Sequence, residues 1–153
     1  MAEDRRDPGA PQVTHARDLF VEAVARAGLP EGLDPAHAAR GAVCTLARRV
    51  DAADARALLD ALPVAIRDLV ACEHRERDDA EPWSRAELVG RLAEHVGADA
   101  LQAERIARVV FAALQRHVPP ETVAAFGEAL PSDLEELWRH PETGLADSGA
   151  PAA

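Results

Sequence analysis

One stretch of this chain occurs twice, and no other feature constrains the fold so strongly. At a fixed offset of 68, residues 37–70 meet residues 105–138 with ten identities in 34 positions. The identities are Ala39, Arg40, Leu46, Arg48, Val50, Ala57, Ala61, Leu62, Pro63 and Leu69. Most other pairs keep their character, as Val43 with Phe111, Leu58 with Phe126 and Ile66 with Leu134. A duplication of this length marks a supersecondary unit used twice. A unit this small buries only about 60% of its unfolded surface and is marginal alone. The two copies are therefore expected to pack face to face on one shared core.

Apolar spacing makes both copies helical. Leu19, Phe20, Ala23, Val24 and Ala27 fall on one stripe of a 3.6-residue period, after Thr14 as a plausible cap and before Gly28 as a stop. Asp34-Pro35 starts a second helix that turns Ala39, Ala42, Val43, Leu46 and Val50 inward. Asp51 caps a third, with Ala55, Leu58, Leu59 and Leu62 inside, and Pro63 opens a fourth with Ile66, Leu69 and Val70. The pattern returns after Ser84 and Glu87, whose spacing matches a capping box, with Trp83 placed to staple onto Leu88. Leu88 to Val96, Ala107 to Val118, Val123 to Leu130 and Leu134 to Trp138 supply helices five to eight. No segment alternates with period two. The expected fold is all-α: eight helices as two tandem four-helix repeats about a pseudo-twofold. The expected boundaries are a disordered tail 1–13, a helical domain 14–140 and a disordered tail 141–153. Within the domain, 14–71 is the first repeat, 72–83 a charged linker and 84–140 the second repeat.

Charge and composition narrow the function. The net charge is −10, and neither repeat is basic, with −1 over residues 14–71 and −3 over residues 84–140. A nucleic-acid backbone binder needs a basic surface to release counterions, so none is expected. All 17 basic residues are Arg, and Lys, Asn and Tyr are absent, a bias of the kind a G+C-rich bacterial genome imposes. No apolar run approaches the roughly 20 residues of a membrane span, and residues 1–11 lack the apolar segment of a secretory signal. Two cysteines, Cys44 and Cys72, suit reduced thiols in a cytoplasmic protein better than a disulfide framework. Cys44 falls on the buried stripe of the second helix.

The repeated elements resemble one known bacterial family. Leu46-Ala47-Arg48-Arg49 with Leu62-Pro63-Val64-Ala65-Ile66-Arg67 forms one copy of the pattern. Leu114-Gln115-Arg116-His117-Val118 with Leu130-Pro131-Ser132-Asp133-Leu134-Glu135-Glu136-Leu137-Trp138 forms the other. An Ala-rich helix ending in Leu-x-x-Arg, a capped short helix and Leu-Pro together resemble the family catalogued as domain of unknown function 2267, over roughly residues 15–140. The chain departs from that family at Ala71-Cys72-Glu73-His74-Arg75-Glu76, where members often carry an aromatic, glycine-containing stretch. The resemblance implies an all-helical fold and carries over no catalytic residue.

The remaining candidates are polar. Cys72, His74, His95 and His140 lack the paired spacing of a metal site, so no metal and no cofactor are expected. His37 and His117 match Arg105 and Arg49 of the other copy, which marks them as surface positions. Acidic and basic residues shared by both copies carry more weight: Arg40 with Arg108, Arg48 with Arg116, Asp60 with Glu128, and Asp68 with Glu136. An Arg fork suits carboxylates, so these eight either bridge helices within each copy or form two anionic-ligand sites. Nothing resembles a nucleophile elbow, a phosphate loop or a helical zinc motif. The expected function is a non-enzymatic interaction or regulatory module that binds a protein partner or itself. The alternative is a small anionic ligand held in the cleft between the repeats. An exposed apolar patch would favour the first, and a pocket with converging Arg the second.

Overall fold

The computed structural model describes residues 9–26, 28–71 and 78–139. These form eight α-helices, with no strand among the described residues. The first four are α1 Gly9–Ala25, α2 Pro35–Ala47, α3 Ala52–Asp60 and α4 Val64–Val70. The second four are α5 Arg85–Val96, α6 Ala100–Gln115, α7 Pro120–Ala129 and α8 Ser132–Arg139.

Side-chain capping sets the starts of α2, α5 and α6. The Asp34 carboxylate accepts from the His37 amide at 3.1 Å, with Pro35 at the first helical position of α2. Ser84 and Glu87 close a reciprocal capping box on α5, and Gly97 ends that helix at φ 71°. A second box, Asp99 with Gln102, starts α6. Two starts differ from expectation. Helix α1 begins at Gly9 rather than after Thr14, because Pro11 falls in its first turn, where a missing N–H costs no helical bond. Asp51 stands at the N-cap of α3 but makes no capping bond there. Its Oδ1 instead accepts from the Ala80 amide at 2.9 Å. Two further bonds, Ala52 N–H to Asp78 O and Glu81 N–H to Arg48 O, both at 2.8 Å, stitch residues 78–81 to the α2–α3 corner. Of the expected linker, residues 72–77 lie outside the described residues, as do residues 1–8 of the expected tail 1–13 and all of the expected tail 141–153.

Helices α2 and α6 are central: α2 packs on α1, α4, α5 and α6, and α6 on α1, α2, α5 and α8. Small buried residues along α2, among them Ala38, Ala39, Gly41 and Ala42, let its neighbours come close. Buried residues from all eight helices join one cluster, from Phe20 and Val24 through Val43, Leu58 and Ile66 to Leu92, Phe111, Phe126 and Trp138. Leu19, expected on the buried stripe of α1, is 45% exposed, since Phe20 and Val24 centre that stripe one residue further on.

The aromatic mass sits in the second half. The Trp138 ring lies 5.7 Å from Phe111 and 5.0 Å from Phe126, and its Nε1–H donates to Val123 O at 2.9 Å. A Cβ at position 127 would stand 2.9 Å from Trp138 Cδ1, so Gly127 makes the room the indole occupies. Val70, Val43 and Leu58 hold the matching positions in the first half and are equally buried. No helix among the described residues is long and apolar enough to cross a membrane.

Candidate functional site

Where α2 meets α5, the surface opens into a cleft of about 660 Å³. Its walls come from both halves: His37, Arg40, Gly41, Cys44, Thr45 and Arg48 on one side, and Trp83, Arg91, Glu94 and His95 on the other. Glycine at 41 is what lets His95 come so near, since a Cβ there would stand 2.5 Å from the His95 Cδ2. The second copy has Val109 at the matching position. The His37 and His95 rings stack across the helix interface, 4.7 Å apart and 16° from parallel. On the far wall, the Arg91 guanidinium lies 4.3 Å from the centroid of the Trp83 ring, which is itself buried. Trp83 is also anchored through its carbonyl, which accepts from Arg49 Nε at 2.7 Å.

Positive charge dominates this cleft. Arg40 is exposed, and its Nε–H donates to Leu69 O at 3.2 Å. Burial, then the fields of His37 and Arg40, push the His95 imidazole below its ordinary value. Glu94 is the one carboxylate on the walls among the described residues. A second, smaller cavity of about 320 Å³ lies behind Cys44 and Arg48, bounded by Ala55, Leu59, Arg56 and Arg67.

Arg108, the counterpart of Arg40 in the second copy, is enclosed instead. Arg108, only 7% exposed, donates from Nε and Nη2 to Glu104 Oε2 at 3.3 and 3.1 Å and reaches Glu136 Oε1 at 3.4 Å. Arg85 grips the same two carboxylates, at 2.9 Å to Glu104 and 2.8 Å to Glu136. The knot ties α5, α6 and α8 together, and Asp133 adds a bond to the Arg85 amide at 2.9 Å. Hydrogen bonding from Arg85 holds Glu136 below the usual carboxylate range, helped by the Arg108 field and opposed by desolvation. Partial burial works against the Arg85 charge, but its bond to Glu136 and the nearby Glu104 outweigh it and raise the guanidinium above its ordinary value.

The eight residues shared by the copies thus separate. Arg108 and Glu136 join the knot, and Arg40 and Arg48 line the cleft. No ion pair joins Arg40 to Asp68 among the described residues. Asp60 reaches Arg67 at 3.7 Å instead, an exposed pair worth little. Arg116 and Glu128 are both exposed. Sequence matching does not single out Arg85, Glu104, Arg91 or Trp83. Arg85 and Glu104 answer to Arg17 and Ala36 in the first copy, so the acid is unpaired by the repeat, though its i,i+4 spacing to Arg108 is a readable signal.

Cys44 corrects an expectation. It is half-buried and lines the cleft instead of the core stripe, and it is disulfide-bonded rather than a thiol. Compartment statistics suggested the thiol, whereas a sulfur on a cleft wall, 3.8 Å from Val70 O, is open to pairing. The other cysteine, Cys72, lies outside the described residues, with His74 and His140. Among the described residues no group of three or more His, Cys, Asp or Glu side chains could hold a metal ion.

No curated protein and no solved structure matches the chain. The model of a family described as uncharacterised conserved protein (DUF2267) matches residues 4–137, and the chain belongs to that family.

Proposed function

We propose that this protein is a non-catalytic binding module whose site is the α2/α5 cleft, and that the site takes a small anionic ligand. One observation carries the reading: Arg40, Arg48, Arg91, His37 and His95 converge on a single cleft, with Glu94 the one carboxylate on its walls among the described residues. Its volume of about 660 Å³ falls within the roughly 300–1,000 Å³ of small-molecule sites. Guanidinium forks match carboxylate, sulfate and phosphate oxygens. Glu94 gives the cleft an acceptor end, so a ligand with hydroxyl or amine donors beside its anionic group fits better than a bare oxyanion.

The state of the hydroxyl and sulfur on the walls supports binding without catalysis. The Thr45 Oγ1 hydroxyl is spent on Gly41 O at 2.6 Å, and Cys44 is disulfide-bonded. Neither is poised as a nucleophile beside a base.

We further propose that the module is a tandem repeat about a pseudo-twofold axis. The pairings that support this are α1 with α6 and α2 with α5, which a twofold exchanges, and α2 with α6 and α3 with α7, which it maps onto themselves. The cleft then lies off the axis with the α1/α6 junction as its counterpart, while the knot of α5, α6 and α8 answers to α1, α2 and α4. Docking of a protein partner or of a second copy ranks behind the ligand reading. Only three large apolar side chains are exposed among the described residues, Leu19, Val64 and Leu101, on three different helices.

The test is calorimetric titration of the intact chain with inorganic phosphate, sulfate and a nucleoside monophosphate near neutral pH. At least one should bind saturably, and Arg40→Ala should weaken it about tenfold. No saturable binding in the millimolar range, together with concentration-dependent dimerisation by light scattering, would return the module to the partner-docking reading.

A further inference from the structure

We infer that the cleft takes its anion together with a proton, accepted by His95 of the stacked imidazole pair, so that occupancy rises as the solution becomes acidic. This regulation rests on the anion-site reading above. The geometry that carries it is the approach of two imidazoles and a guanidinium in one cleft. His95 meets His37 face to face at 4.7 Å, and Arg40 lies one helical turn beyond His37 on α2. His37 Nε2 stands 3.4 Å from the His95 carbonyl. A carbonyl only accepts, so that contact puts the His37 proton on Nε2.

The charges that act on His95 are positive, those of His37 and Arg40 on α2. The helix that carries His95, α5, places Arg91 and the carboxylate Glu94 on the walls of the same cleft. Helix α6 also packs on α5, and none of its described side chains lines the cleft. Burial and the positive neighbours therefore oppose protonation of the empty site. The field that repels a proton is the field that attracts an anion. Once an anion neutralises Arg40 and its neighbours, the electrostatic obstacle to a charged His95 is removed, and the imidazolium becomes one more donor to the ligand. Linkage then requires the reverse effect: a protonated His95 binds the anion more tightly by the same factor.

Sulfate is the probe, because it keeps its double charge throughout the range in which histidine titrates, whereas phosphate does not. Titrating the intact chain with sulfate at about pH 8 and about pH 5.5 should show affinity rising by up to about tenfold per pH unit within the window. Calorimetry in two buffers of different ionisation enthalpy should register proton uptake on binding. NMR should show the His95 titration moving to higher pH when sulfate is present. In His95→Gln the ratio between the two affinities should collapse towards one. In His117→Gln, where the ring sits edge-on to Phe20 away from the cleft, the ratio should persist. Saturable sulfate binding with the same affinity at both pH values would overturn the proton coupling and leave the anion site standing. Absence of saturable binding at either pH would overturn the anion site itself, and the coupling with it.

Discussion

Arg40 and Arg108 stand at the same position of the two copies, and they meet opposite surroundings. Arg108 is buried and held by two carboxylates that Arg85 also grips. Arg40 is exposed, bonds a backbone carbonyl and faces a cleft with two imidazoles and two more guanidinium groups. Three substitutions account for the difference. Glu104 on one turn of α6 is replaced by Ala36 on α2, Glu136 by the shorter Asp68, and Val109 by Gly41, which admits His95. Two arginines matched in the sequence can therefore differ, the one on α6 neutralised by carboxylates and the one on α2 exposed.

The same asymmetry runs through the core, where Trp138, Phe111 and Phe126 fill what Val70, Val43 and Leu58 leave to smaller groups. Truncating the larger side should cost more. Trp138→Ala is expected to lower unfolding free energy by about 3–5 kcal/mol, read from urea midpoints at constant slope. Val70→Ala, at the matching position, should cost about 2 kcal/mol, for roughly two buried methylene equivalents. Equal costs would mean that the aromatic cluster is no more than a local substitute for the aliphatic one.

Breaking the knot is the next largest effect. Glu104→Ala leaves Arg108 buried with only part of its carboxylate contact and should cost about 1–3 kcal/mol. Asp68→Ala, the acid of the first copy, should stay within about 0.5 kcal/mol of wild type. A comparable loss at Asp68 would place a bridge in the first copy that the described residues do not contain.

Grafting the knot's missing acid sharpens the contrast from the other side. Ala36→Glu sets a carboxylate one turn from Arg40, as Glu104 is set from Arg108. It should weaken sulfate binding about tenfold, while an i,i+4 pair changes stability by only about 0.3–0.5 kcal/mol. Unchanged affinity would remove Arg40 from the site.

Acid titration of stability gives the smallest effect. His95 and His117 both lie below their ordinary 6.5, each chiefly through burial. The unfolded chain then binds their protons first as pH falls. Their contribution is complete above 6.5 and is lost below it, through the lowered folded values. Glu136 is held below its ordinary 4.5 by Arg85, so its contribution is complete above 4.5 and lost as pH falls further. Unfolding midpoints should therefore decline in two steps on acidification. A rise between pH 7 and 5 would reverse the sign assigned to both histidines.

Much of this fold is legible in the sequence, because caps and prolines are local signals: Asp34-Pro35, Ser84 with Glu87, and Gly97 act where their spacing says they should. Asp51 misleads because its carboxylate is recruited by Ala80, a partner 29 residues away that no local rule anticipates. The cleft was less legible than the helices. Matching the copies brings out what they share, and the cleft is built mainly from what they do not share, namely Gly41, His95, Arg91 and Trp83. His37 read as a surface position because its counterpart is Arg105, and its stack with His95 depends on how α2 crosses α5.

One titration tests the central contrast most directly. Sulfate is added to the intact, isotope-labelled chain, and the arginine Nε–H and histidine ring signals are followed by NMR. The account predicts saturable shifts at Arg40, Arg91, His37 and His95 that fit one dissociation constant, with Arg85 and Arg108 unmoved. Shifts at Arg85 and Arg108 equal to those at Arg40, or shifts that rise without saturating across the surface, would contradict it.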